Sequence, residues 1–244
     1  MSSDEREMTG SNEAGDMAAP RDTAPFEEYA AQYDAWYDSP KGRVLMATEV
    51  ACLRPLLEAF SRPYLEIGVG TGRFAQSLGI EYGIDPSPPA LDLARARGID
   101  VRQAAGERIP FDDASFGGVL MAFTLCFVRD ATAVMREVRR VLTPGGGLVL
   151  GLLLGGTPWA ESYVRRGREG HPIYQDAHFH SRYEVEDLLE QSRFQVVRYR
   201  STLLQPPGLE AYNVEEALEG YTEDAGFAGL AAMKTTEQSI QKRG

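Results

Sequence analysis

The stretch "LEIGVGTGRF", residues 65–74, sets Gly68, Gly70 and Gly72 between an apolar run and the start of a helical pattern. Glycine at alternate positions lets a backbone turn sharply out of a strand and pass close to a ligand. Outward from this loop, short apolar runs alternate with helical stretches. Residues 64–67 read as a strand, "RFAQSL" (73–78) as a helix, "IEYGID" (80–85) as a second strand, and "SPPALDLARARG" (87–98) as a helix with Ser87 as N-cap and Gly98 as stop. "IDVRQAA" (99–105) is a third strand, "SFGGVLMAF" (115–123) a fourth, "RDATAVMREVRRVL" (129–142) a helix and "GGLVLGLLL" (146–154) a fifth strand. Their continuous apolar character belongs to strands buried on both faces of a parallel sheet. The expected fold is α/β, a doubly wound sheet.

The flanks complete the domain. Residues 1–24 carry no apolar period and are expected to form a disordered acidic tail. From Pro25 to Phe60 apolar and aromatic residues recur at threes and fours, interrupted by "DSPKG", which predicts two helices before the first strand. Toward the end, "SRYEVEDLLEQS" (181–192) reads as a serine-capped helix. "FQVVRYRS" (194–201) and "GFAGLAAMK" (226–234) read as two more strands, separated by the long segment Thr202 to Asp224. Residues 25–244 form one expected domain, with 25–60 as an N-terminal helical lid. Thr157 to His180 is an insertion, placed where such segments cover a ligand site.

Charge and composition narrow the function. The formal net charge is -11, and residues 1–28 contribute eight acids against Arg6 and Arg21. A net acidic surface repels phosphate backbones, so nucleic acid is not the expected partner, and "RRGR" (165–168) reads as a solvated loop. Two cysteines, Cys52 and Cys126, make neither a disulfide framework nor a metal cluster, and no metal is expected. The acidic start lacks the features of a signal peptide, and the longest apolar run, residues 145–156, is well short of the roughly twenty residues a bilayer needs. A cytoplasmic protein with no membrane partner is expected.

Three ligands compete for the glycine loop. A dinucleotide fingerprint needs glycine three residues after the second, where Arg73 stands, and a phosphate-binding P-loop needs a lysine the loop does not have. The third ligand, S-adenosylmethionine, has no pyrophosphate. It presents a ribose diol, which Asp85 at the end of the second strand can accept, and an ammonium and sulfonium, toward which Glu66 brings negative charge.

Four motifs in order then carry a family resemblance. "LEIGVGTGRF" matches E/D-x-G-x-G-x-G, and "YGIDPSPPALDLAR" (82–95) matches the strand that ends in a ribose-binding acid. "GERIPFDDASFGGVLMAFTLCFV" (106–128) and "REVRRVLTPGGGLVL" (136–150) match the two segments that follow. The chain resembles the class I S-adenosylmethionine-dependent methyltransferases, in the small bacterial group with ubiquinone-biosynthesis-like motifs. The resemblance implies a Rossmann-like sheet of seven strands in the order 3-2-1-4-5-7-6, with strand seven, residues 226–235, antiparallel. It implies S-adenosyl-L-methionine as cofactor, held by Glu66, Gly68, Gly70, Thr71, Gly72, Asp85, Pro86, Gly106, Glu107 and Phe123. Two positions depart from the pattern: Ala105 stands where an adenine-binding acid is usual, and Gly117 replaces an aspartate.

Methyl transfer from a sulfonium is an in-line displacement that needs orientation and exclusion of water more than a dedicated base. Acceptor-side candidates are Tyr29, Tyr33 and Trp36 in the lid, Cys126 after the fourth strand, and Trp159, Tyr163 and Tyr174 in the insertion. His178, His180 and Tyr174 are the candidates for a base or acceptor-binding group. The two histidines flank Phe179 on one side of an extended segment, without an evident third ligand for a metal. The expected acceptor is a small molecule. The alternative is a protein that binds the cofactor as a sensor, without transfer.

Overall fold

Serine followed by proline opens the second helix inside the segment read as a break. Ser39 accepts a hydrogen bond from the Gly42 N–H, and Pro40 occupies the first turn, where its missing N–H is not needed. The computed structural model describes residues 24–235, so the expected acidic tail lies outside the described residues apart from Ala24, which begins a helix. The chain runs α1 (Ala24–Trp36), α2 (Pro40–Leu57), β1 (Tyr64–Ile67), α3 (Arg73–Leu78), β2 (Tyr82–Asp85), α4 (Pro88–Ala96), β3 (Asp100–Gln103) and β4 (Phe116–Ala122). It continues through α5 (Ala131–Val141), β5 (Leu142–Leu152), α6 (Pro158–Arg168), α7 (Arg182–Gln191), β6 (Phe194–Thr202), β7 (Leu218–Glu219) and β8 (Phe227–Lys234).

One sheet holds all eight strands in the order β3-β2-β1-β4-β5-β8-β6-β7. The first five strands are parallel, and β8 runs antiparallel between β5 and β6. This is the expected seven-strand order with one addition: β7, two residues within the segment read as a connection, pairs with β6 at the edge. Strand order reverses between β1 and β4, which opens a crevice beyond their carboxyl ends.

Both faces of the sheet are covered. Leu65, Ile67, Val119 and Met121 pack toward α5 and α7 through Val134, Val138 and Leu189. On the other face lies α2, with Leu53, Leu56 and Leu57 fully buried. Gly147 and Gly151 permit this approach: a Cβ at Gly147 would stand 2.1 Å from the Phe60 ring, and one at Gly151 3.2 Å from Leu53. Phe60 over Gly147 and Leu53 over Gly151 fix the direction of α2, antiparallel to β5. Its earlier turns therefore extend past the carboxyl ends of the strands.

Candidate active site

The three loop glycines all have positive φ, 69° at Gly68, 51° at Gly70 and 83° at Gly72, but their surroundings differ. A Cβ on Gly68 would stand 2.4 Å from Thr124 Oγ1, and one on Gly72 3.0 Å from Ala94. Gly70 faces open space, with nothing within 4 Å of such a carbon. Its N–H donates to Asp85 Oδ2 at 2.9 Å, while the Ser87 N–H donates to Oδ1 at 2.9 Å. Asp85 is thus held by two backbone donors and keeps lone pairs for a diol. Burial raises its pKa, and the two N–H groups oppose that rise.

Glu66, the third residue of β1, has only 2% of its surface exposed, and its Oε2 has no hydrogen-bond partner among the described residues. Burial pushes its carboxyl well above the ordinary range; the Ala75 N–H opposes the shift and Asp85 adds to it. The orphaned Glu66 oxygen on the strand and the open face of Gly70 in the loop fit the ammonium and backbone cradle that S-adenosylmethionine requires.

A cleft at this loop is lined by Gly70, Thr71, Asp85 and Ala90, by Tyr29, Ala30 and Tyr33 of α1, and by Ile173 of the insertion. Lid and insertion therefore meet over the cofactor loop. Tyr33 turns its hydroxyl to Tyr37 at 3.1 Å. Trp36, expected beside them, is not among the residues lining this cleft; it and Tyr33 are each 38% exposed, and the buried ring is Tyr37, packed edge-on against Trp36 and Phe74.

A second cleft lies at the ends of β4 and β5, between Phe123, Cys126, Leu152, Leu153, Phe179 and His180. Phe123 adopts φ 56°, rare for a non-glycine residue, and its ring packs between Phe74 and Phe227. The His178 N–H donates to the Cys126 carbonyl at 2.8 Å, which ties the "HFH" segment to the turn after β4. The Cys126 thiol donates to the Phe123 carbonyl. Helix α7 brings the third ligand type that the sequence did not reveal: ligand atoms of His178, His180 and Glu184 lie within 4.8 Å of one another. Glu184 Oε2 accepts the Ser181 N–H at 2.7 Å as part of a helix cap, leaving Oε1 toward His178 at 3.8 Å.

Other candidates fall elsewhere. Tyr174 packs edge-on against Tyr163 and stacks on His171, with Arg166 over both tyrosine rings. Trp159 is buried against Tyr212 and donates to the Gln205 carbonyl at 2.8 Å, so it anchors the segment before β8 and is not among the residues lining either cleft. The Pro86 carbonyl accepts from Gln103, Gly106 rests against Ile67 and Val134, and Glu107 is half-buried nearby.

Three structural features escaped the sequence. Arg73, read only as a spoiled dinucleotide position, joins Arg97 in holding Asp34 of α1, and also pairs with Asp38. Burial alone would raise the Asp34 pKa, yet hydrogen bonds from Arg73, Thr71 and Arg97 hold it well below the usual carboxylate range. Ile173 closes the loop cleft. Glu49, on the core side of α2, is a carboxylic acid 6% exposed. Its signal was legible in principle: a charge in an apolar phase of the helix.

Fold and site together define an α/β enzyme with a phosphate-free nucleoside cofactor at its switch point. Residues 65–150 match the family described as "Methyltransferase domain". A Mycobacterium tuberculosis protein of uncharacterized function is 56% identical over 204 residues, 84% of this chain and 72% of the relative. A solved structure from Thermotoga maritima, described as an S-adenosylmethionine-dependent methyltransferase and possible histamine N-methyltransferase, is 32% identical with a TM-score of 0.79, over 87% of this chain and 99% of that one. The demethylmenaquinone methyltransferase of Deinococcus radiodurans is 42% identical over 101 residues, 36% of this chain and 42% of its own. The chain belongs to the class I S-adenosylmethionine-dependent methyltransferases, and S-adenosyl-L-methionine is its cofactor. It is an enzyme of methyl transfer.

Proposed function

We propose that the enzyme methylates a small-molecule acceptor by in-line displacement, within a site roofed by α1 and the 157–180 segment. The observation that carries this reading is the joint lining of the loop cleft by Tyr29 and Tyr33 from one side and Ile173 from the other. A site covered on two sides suits a small molecule better than a polymer. The net charge of -11 also disfavours a nucleic acid. No helix among the described residues is long and apolar enough to cross a membrane. The relatives from Thermotoga maritima and Deinococcus radiodurans are named for small acceptors, which supports the same class here.

S-adenosylmethionine supplies a methyl group on a sulfonium, whose departure as a neutral thioether makes the transfer favourable. The chain supplies position and dryness. Asp85 accepts from the ribose hydroxyls while two backbone N–H groups fix its rotamer. Glu66 offers its orphaned oxygen to the ammonium. Phe123, Phe74 and Tyr37 make an apolar wall that excludes water, and Tyr33 closes it from the lid.

The test is incubation of the full chain with methyl-labelled cofactor and a fractionated cell extract. Label recovered in the small-molecule fraction is the expected result. Label confined to protein or nucleic acid would overturn the acceptor class.

A further inference from the structure

Glu49 stands where an apolar residue is due. The core-facing side of α2 runs through Leu45, Cys52, Leu53, Leu56 and Leu57, and Glu49 falls four residues after Leu45 and four before Leu53. Because Leu53 lies against Gly151 near the end of β5, Glu49 on the preceding turn projects into the layer beyond the strand ends. Only 6% of the residue is exposed, and its carboxylate has no hydrogen-bond or ion-pair partner among the described residues.

Leu45 and Leu53, one turn to either side of Glu49, belong to the apolar cluster that also holds Tyr37, with Tyr163 packed against it. Burial raises the Tyr37 and Tyr163 phenols well above their ordinary range, and the charge of Glu49 adds to both, as it does to Cys52 of its own helix. Tyr33 and Tyr37 share a hydrogen bond at 3.1 Å, and their rings meet edge-on at 5.4 Å. Tyr37 continues through Phe74 to Phe123, which lines the cleft beside Cys126 and His180. An acid without a partner in an apolar layer is unfavourable, because burial disfavours its charged form. A ligand that satisfies it accounts for its presence.

We propose that Glu49 is the acceptor-binding acid, and that the acceptor therefore carries a basic amine, seated on Glu49 in the layer that holds Tyr37 and Tyr163. This rests on the methyl-transfer reading of the site and names the acceptor class within it. A protonated amine gains the carboxylate charge and the faces of the surrounding rings. Transfer of its N–H proton to the Glu49 carboxylate leaves a neutral amine and a neutral carboxylic acid, with no net charge change and with the nitrogen lone pair free as nucleophile. Hydroxyl or carbon acceptors offer Glu49 no cation.

The test is calorimetric binding of a matched probe pair, phenethylamine with 2-phenylethanol, to the full chain and to Glu49→Gln. The wild type should bind an amine at least about tenfold more tightly than its alcohol. At pH 7, below the Glu49 pKa of about 8, each ammonium bound should release about one proton to the buffer, read from buffers of different ionisation enthalpy. Glu49→Gln should lose both the preference and the proton while keeping its affinity for S-adenosylmethionine. Retained preference in Glu49→Gln, or no amine preference in the wild type, would overturn the proposal. Cofactor binding separates the two levels: if the wild type binds S-adenosylmethionine but prefers no amine, this inference alone fails, and if it binds no cofactor the methyl-transfer reading fails with it.

Discussion

Arg73 meets Asp34 through two parallel contacts, Nε to Oδ1 at 2.8 Å and Nη2 to Oδ2 at 2.9 Å. One residue begins the helix after the glycine loop and the other lies on the lid, 39 positions earlier. Arg97, from the end of α4, donates to the same carboxylate at 2.8 Å and to the Thr71 carbonyl at 2.7 Å. Thr71 adds its side chain to Asp34. The N-terminal segment is therefore fastened beside the glycine loop chiefly through the Asp34 carboxylate, which both arginines share, with the exposed Asp38 adding a second contact to Arg73.

Asp34→Ala leaves two largely buried guanidinium groups without their shared partner. Removing one member of a buried pair costs roughly 3–5 kcal/mol, and residual solvent access at this site reduces that to about 1–3 kcal/mol. For a chain of this size the midpoint of thermal unfolding should fall by about 2–10 °C, with cofactor affinity falling alongside. Asp38, whose side chain is 66% exposed, provides the contrast: Asp38→Ala should leave the midpoint unchanged within error. Equal effects from the two variants would refute the central place given to Asp34.

Glu49 and Asp34 predict opposite pH dependences. Asp34 is depressed in the folded state, so its contribution is present above the unfolded value near 4 and is lost as pH falls through its lower folded value. Glu49 is raised to about 8. Between about 4.3 and 8 the unfolded chain ionises this residue while the folded one does not, so stability declines as pH rises across that window. Glu49→Gln should therefore unfold like the wild type near pH 4.5 and be the more stable protein at pH 8, by roughly 2–4 kcal/mol. Denaturant titrations at both pH values measure the gap, and a gap independent of pH would show that Glu49 is not buried as a neutral acid.

The family and its cofactor were legible because the motifs that carry them are local. Gly68 to Gly72 and Asp85 lie within one strand-loop-helix-strand unit, and the spacing that permits the chemistry is written along the chain. Asp34 with Arg73 was not legible, because the pair forms only when α1 folds back over the loop. Ser39 and Pro40 were read as a break although serine before proline is a helix start. The two residues of β7 carry no apolar alternation, since their place in the sheet comes from pairing with Arg200 and Ser201 alone. Trp159 looked like a pocket residue by type and turned out to anchor the segment carrying Gln205 and Tyr212.

Asp85→Ala should weaken S-adenosylmethionine binding by at least about tenfold, since the ribose hydroxyls lose a charged acceptor. It also frees the Gly70 N–H, which now donates to Oδ2, so Asp85→Asn is the sharper variant. The amide oxygen can keep one backbone contact while the charge is lost. Calorimetry on both should rank their affinities as wild type above Asn above Ala. Affinity unchanged in the alanine variant would remove Asp85 from the site.

The loop glycines separate binding from folding. Gly70→Ala meets no atom within 4 Å and bears only the left-handed φ of 51°, a strain of about 1–2 kcal/mol. Its methyl group points into the space assigned to the cofactor, so binding should fall by well over tenfold while the protein stays folded. Gly68→Ala carries comparable backbone strain and sets a carbon 2.4 Å from Thr124 Oγ1, and Thr124 in turn bonds the carbonyls at the ends of β1 and β4. Relief there requires moving the strand ends, so Gly68→Ala should have the lower melting temperature of the two. Paired melting and calorimetric curves decide the matter. If Gly70→Ala bound S-adenosylmethionine as tightly as the wild type, the open face of Gly70 would not be where the cofactor lies.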